Sequence, residues 1–104
     1  MDRVEKLKEF LRVEPDDPFV KHALALEYIK IGEMVTARRL LEEVLTKNPE
    51  AVGSYYQLGK LLEGIGENAL ALTWYEKGMA AAKAAGERRA YNELQSAYDE
   101  LSTD

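Results

Sequence analysis

The chain of 104 residues contains no cysteine, which excludes disulfides and thiolate metal sites. It contains one histidine, and a single imidazole without cysteine cannot form a zinc site of the usual type. No stretch approaches the ~18 consecutive apolar residues of a membrane span. Acidic residues outnumber basic ones by 19 to 14, and a net charge of −5 disfavours two polyanions, nucleic acid and anionic membrane, as partners.

In other respects the composition is ordinary for a globular protein, with 46% hydrophobic and 32% charged residues. The length suits one compact domain and is too short for two. Residues 1–12 are charged throughout and lack the apolar centre of a secretory signal. We therefore expect a single domain over residues 1–104 and a cytoplasmic location.

One residue pattern occurs twice in the chain, with a spacing of 34 positions. A fixed period of this length is typical of a stacked array, in which each unit buries its apolar face against its neighbours. The identical pairs are Leu24 and Leu58, Ile31 and Ile65, Gly32 and Gly66, Glu33 and Glu67, Ala37 and Ala71, and Glu42 and Glu76.

Prolines and glycines divide the chain into helical segments, and no segment has the pattern of a strand. Asp17 is placed to cap a helix that begins at Pro18, and Asn48-Pro49 repeats this arrangement before a later helix. Gly32 and Gly66 are placed to end helices. The predicted helices cover residues 3–13, 18–31, 34–47, 50–63, 68–84 and 88–102.

Each predicted helix carries an apolar stripe at spacings of three, four and seven residues. Leu24, Tyr28 and Ile31 form the stripe of the second helix. The repeated positions also include small residues, which predict the closest crossings within each helix pair because bulky side chains there would separate the axes. These small residues are Ala25, Ala37, Gly59 and Ala71.

The spacing of large and small residues resembles the tetratricopeptide repeat, a helix-turn-helix of 34 residues. The motifs Tyr55-Tyr56-Gln57-Leu58-Gly59 and Trp74-Tyr75-Glu76-Lys77 look particularly like this family. The chain departs from the family at Lys21, where a tryptophan is common, and at the end of the second repeat, which lacks the closing proline.

The resemblance implies an all-α fold, a right-handed stack of antiparallel helix hairpins with about six helices. Residues 18–51 and 52–85 would be the two complete repeats. Residues 1–17 resemble the second half of an earlier repeat and residues 86–104 the first helix of a later one. Each flanking helix would then cap the stack and shield its apolar end.

In this family the first helices of successive repeats line a concave groove, where partners usually bind. Carried over to this chain, the groove would include Phe19, His22, Leu26, Ile29 and Lys30 from the first repeat, Gly53, Tyr56, Lys60 and Glu63 from the second, and Arg89, Asn92 and Ser96 from the last helix. Leu26 and Ile29 lie off the core stripe, so they either face the groove or pack against a neighbouring helix.

The leading hypothesis is a protein-interaction module that binds a short peptide or one helix face of a partner. The alternative is a structural module that associates with itself as a homodimer. We expect no enzymatic activity, since no serine or threonine lies within a helical turn of His22 to act as its nucleophile. We also expect no cofactor and no metal. Chaperone tails, which some members clamp by their terminal carboxylate, are not expected to bind, because Leu26 cannot donate the required hydrogen bond. The Arg38-Arg39 and Arg88-Arg89 pairs are better explained as solvated helix faces than as nucleic-acid contacts.

Overall fold

A computed structural model describes residues 2–103, and within this range the chain forms six α-helices and no strand. Their order agrees with the prediction. The bounds are α1 Arg3–Val13, α2 Pro18–Lys30, α3 Met34–Lys47, α4 Val52–Gly64, α5 Asn68–Ala85 and α6 Arg88–Ser102.

The predicted start of α2 and the predicted turns are confirmed. The Asp17 carboxylate accepts hydrogen bonds from the backbone N–H groups of Phe19 at 2.9 Å and Val20 at 3.2 Å, and Pro18 is the first helical residue. Gly32 and Gly66 have φ angles of 82° and 85° in the turns after α2 and α4. Because side chains strongly disfavour this left-handed region, glycine suits both positions.

The start of α4 differs from the prediction, because Asn48 and Pro49 do not cap this helix. Asn48 instead ends α3, and its carbonyl accepts a hydrogen bond from the N–H of Ala51 at 2.9 Å. This turn delays α4 to Val52, two residues after the predicted start. The Tyr55 hydroxyl donates to the carbonyl of Pro49 at 2.6 Å and holds the turn against α4.

Consecutive helices pack against each other along the whole chain, as short connections require. In addition α4 contacts both α2 and α6, so the three even-numbered helices lie side by side. The molecule measures 43 × 29 × 19 Å along its principal axes. A row of three helices along one side is the arrangement that a groove requires.

The core runs between the helix layers and includes Tyr75, Leu41 and Leu58, all fully buried. The small residues occur at close crossings, as predicted. A Cβ atom added to Gly59 would lie 2.1 Å from Cε1 of Tyr75, and one added to Gly78 would lie 2.6 Å from Cβ of Tyr55. Glycine therefore allows α4 and α5 to approach at both places.

The assignment of Ile31 to the core stripe of α2 is wrong. The helix ends at Lys30, and Ile31 lies in the turn with 64% of its surface exposed. Its partner in the repeat, Ile65, occupies the equivalent turn after α4 and is 45% exposed. The identity of this pair therefore reflects repetition of the turn and not of the core.

Lys21, which replaces the tryptophan common in the resembled family, is buried with its charge compensated. Its Nζ lies 3.4 Å from Oε1 of Glu43 and 3.6 Å from Oδ1 of Asp16. Oδ1 of Asp16 also accepts a hydrogen bond from Nζ of Lys47 at 2.7 Å. This hydrogen bond is the main cause of the lowered pKa of the Asp16 carboxyl. These ion pairs link the α1–α2 connection to α3 without an aromatic anchor.

Candidate peptide-binding groove

A surface cleft of about 700 Å³ lies between α4 and α6. We refer to it as the α4–α6 cleft. It is lined from α4 by Tyr56 and Lys60, and from α6 by Arg88, Arg89, Asn92, Glu93, Ser96, Ala97 and Glu100.

The α4–α6 cleft brings together five of the twelve predicted groove residues, namely Tyr56, Lys60, Arg89, Asn92 and Ser96. Sequence reasoning missed the charged residues Arg88, Glu93 and Glu100. The two glutamates stand four and eleven residues after Arg89, a spacing that places all three on one helix face and could have indicated them.

The candidates on α2 do not line the α4–α6 cleft. Phe19 is 84% exposed, and Lys30 is held by an ion pair with Glu27 at 3.2 Å. Leu26 and Ile29 are both half-buried, and Ile29 packs against the core cluster. For Ile29 the structure therefore agrees with the alternative of packing against neighbouring side chains.

His22 lies at the junction of α2 and α4, where its Nδ1 is 2.7 Å from Oγ of Ser54. The two residues are 32 positions apart, so helical spacing could not reveal the contact. The pair resembles a nucleophile with its base, but Ser54 is only 2% exposed and a substrate could not reach its oxygen. The hydrogen bond joins two neighbouring helices instead.

Partial burial of the imidazole lowers the pKa of His22 below its usual value of 6.5. Because the folded state binds this proton less readily than the unfolded state, the contribution of His22 to stability is complete above pH 6.5 and falls as the pH drops below it. NMR titration of the ring protons should show a midpoint below 6.5. His22→Gln should reduce the loss of stability between pH 7 and 5, and a midpoint at or above 6.5 would contradict the burial argument.

Buried contacts made by Tyr75 support the α4 side of the α4–α6 cleft. The Tyr75 hydroxyl donates to the Glu63 carboxylate, whose Oε2 lies 3.8 Å from Nζ of Lys60. Burial, followed by this carboxylate, raises the pKa of Tyr75 well above its ordinary range, so the phenol remains a donor. The Tyr56 ring lies 6.4 Å from the Tyr75 ring. Glu63, another of the α4 candidates, therefore contacts Lys60 and Tyr75 and does not line the cleft.

The charges of α6 oppose its helix dipole. Arg88 and Arg89 begin the helix, where the dipole is positive, and Asp99 and Glu100 lie close to its negative end. Each such placement costs about 0.3–1 kcal/mol at low salt. In contrast, α1, α2, α3 and α5 each have a basic residue in their last turn. Helix stability therefore does not explain the charge order of α6.

None of the helices in residues 2–103 has the length and apolarity needed to span a bilayer. No protein-family model and no curated protein sequence matches the chain.

Several solved structures are similar to this chain. A tetratricopeptide repeat domain protein from Salinibacter ruber, in its solution NMR structure, is 36% identical over 85% of this chain and 89% of that one, with a TM-score of 0.81. Its crystal structure gives 36% identity over 84% of this chain and 98% of that one, with a TM-score of 0.80.

Two further solved structures have a similar fold. A protein from Bordetella parapertussis is 27% identical over 98% of this chain and 89% of that one, with a TM-score of 0.83. MamA, at 21% identity over 94% of this chain and 66% of that one with a TM-score of 0.69, shares the fold. Six helices stacked in this order, and the identity to the Salinibacter protein along nearly its whole length, establish that the chain belongs to the tetratricopeptide repeat family, whose helical repeats generally serve in protein interaction.

Proposed function

We propose that the protein binds a short peptide segment of a partner protein on the side formed by α2, α4 and α6, with the α4–α6 cleft as the principal site. The observation that carries this proposal is the meeting of Tyr56, Lys60, Arg89 and Asn92 in one cleft. Residues 18–51 and 52–85 would then be the two full repeats, and the final helix would supply the second wall of the cleft.

The lining of the α4–α6 cleft suits a peptide better than an apolar ligand. It combines a half-buried tyrosine ring with an amide, a hydroxyl and charged groups from both helices. Aromatic anchors surrounded by polar groups are typical of protein interfaces. The cleft runs along α4, whose 13 residues extend ~20 Å at 1.5 Å per residue, and an extended chain covers this length in ~6 residues. A contact of this size is compatible with an affinity on the order of 1 μM.

Self-association is the alternative, and its support lies at α1. Phe10 is 59% exposed, whereas Val44, 34 positions later and equivalent by the repeat, is 1% exposed. A second copy could cover this face. However, Arg3, 34 positions before Ala37, stands where the repeat has a small residue, and its Nε lies 3.3 Å from Oε2 of Glu27, so a helix docked there would have to displace an ion-paired side chain. The peptide proposal is therefore preferred.

The test is a selection of random octapeptides on the immobilised protein, followed by amide NMR with a selected peptide. We expect the amides of Tyr56, Lys60 and Asn92 to shift. Tyr56→Ala combined with Lys60→Ala should weaken binding at least about tenfold, since it removes the aromatic anchor and one charge. Thr73→Ala combined with Lys77→Ala, on exposed positions of α5, is the matched control.

Shifts confined to Thr73 and Lys77 would contradict the assignment of the groove. Light scattering at micromolar concentration tests self-association, because it measures the molar mass in solution. A tight dimer whose interface buries Phe10 would favour self-association over peptide binding.

A further inference from the structure

The two arginine pairs of the chain differ in their surroundings. Arg38 and Arg39 on α3 each contact a carboxylate at 3.1 Å, those of Glu42 and Glu43. Among residues 2–103, neither arginine of the Arg88-Arg89 pair has a carboxylate oxygen within 4.0 Å. Within the described residues, therefore, the Arg88-Arg89 pair forms no ion pair, in contrast to Arg38 and Arg39.

The third cation of the cleft is already engaged, since Lys60 faces Glu63. Along α6 the lining changes sign, from Arg88 and Arg89 at one end, through Glu93, to Glu100 at the other. This order opposes the helix dipole, so it is not accounted for by the stability of α6. Charges that are unpaired and placed against the dipole have a direct explanation if a ligand pairs with them.

We propose that the α4–α6 cleft selects peptide segments with an acidic residue at one end and a basic residue at the other. This inference rests on the proposed function and adds the chemistry of the ligand. The acidic residue binds at Arg88 and Arg89, because guanidinium groups form paired hydrogen bonds with a carboxylate. The basic residue binds near Glu100, and the apolar residues between them contact the Tyr56 ring.

The helix sets the spacing of the two charges. Arg89 and Glu100 are eleven positions apart, which corresponds to ~16 Å at a rise of 1.5 Å per residue. An extended segment rises ~3.3 Å per residue, so the two charged residues of the ligand should stand about five positions apart. A segment of uniform charge would be repelled at one end of the cleft.

The experiment compares four capped hexapeptides with the same centre, Leu-Ser-Leu-Ser. The end residues are Asp and Lys, Asn and Gln, Asp and Glu, or Lys and Lys. In 50 mM salt we expect the Asp/Lys peptide to bind at least about tenfold more tightly than the other three, and this advantage should shrink in 500 mM salt. The amides of Arg89 and Tyr56 should shift on binding.

Arg88→Gln combined with Arg89→Gln should remove the advantage of the Asp/Lys peptide over the Asn/Gln peptide. Both residues are exposed and their charges oppose the dipole, so the variant should remain folded. Arg38→Gln combined with Arg39→Gln is the matched control and should keep the advantage.

Equal binding of the Asn/Gln peptide, with the same cleft amides shifted, would overturn the charge proposal and leave the groove assignment intact. Tighter binding of the Asp/Glu peptide would overturn the role of Glu100. Absence of any shift at Arg89 and Tyr56 with all four peptides would overturn the inference, whereas shifts at Thr73 and Lys77 alone would also overturn the proposed function.

Discussion

Leu58→Ala is expected to lower the free energy of unfolding by about 2–5 kcal/mol. Leu58 is fully buried in α4 at the centre of the core, between two helix layers that cannot collapse into the vacated volume. Domains of this size have total stabilities of about 5–15 kcal/mol, so the variant should be close to unfolding. Urea denaturation monitored by circular dichroism measures the change.

The matched control is Ile31→Ala, which removes the same number of carbon atoms from the turn after α2. Because 64% of this side chain is already exposed, its truncation should cost less than about 0.5 kcal/mol. A loss at Ile31 comparable to that at Leu58 would contradict the assignment of Ile31 to the turn.

Gly59→Ala is expected to destabilise the protein by about 1–2 kcal/mol, although alanine is the better helix former by ~1 kcal/mol. The added Cβ would lie 2.1 Å from the ring of Tyr75. The ring cannot move aside easily, because it is fully buried and its hydroxyl is held by Glu63. Thus α4 and α5 must separate, and the lost packing exceeds the gain in helix propensity.

Gly53→Ala, in the same helix, should have the opposite sign. Gly53 is exposed, and an added Cβ would meet nothing within 4 Å. The variant should therefore be more stable by about 0.5 kcal/mol, through the lower backbone entropy of its unfolded state. Thermal and urea unfolding of both variants provide the comparison, and stabilisation by Gly59→Ala would contradict the close approach of α4 to Tyr75.

The elements that were predicted correctly depend on short-range interactions. The start of α2 follows from Asp17 and Pro18, and the left-handed turns follow from Gly32 and Gly66. The position of α4 was missed by two residues because the Tyr55 hydroxyl and an extra turn compete with capping by Asn48. Ile31 was assigned to the core because its spacing from Leu24 and Tyr28 continues the apolar stripe of α2, but the helix ends one residue earlier, at Lys30.

The candidate site was only partly predictable. The resemblance to the tetratricopeptide repeat indicated Tyr56 and, through the final helix, Arg89 and Asn92, since equivalent positions in a stack face the same side. It did not indicate Arg88, and Glu93 and Glu100 could have been found only from their helical spacing to Arg89.

The amino-acid sequence by itself determined that this chain forms six helices in a stack with a period of 34 residues. The helices follow from apolar periodicity, caps and glycines, which act over a few residues, and the stack follows from the repeat and its resemblance to the tetratricopeptide family. Only the tertiary structure decided that His22 meets Ser54, that Lys21 is buried between two carboxylates, and that the charged face of α6 forms a cleft with α4. These contacts join residues far apart in the chain, and they depend on the angles at which the helices pack.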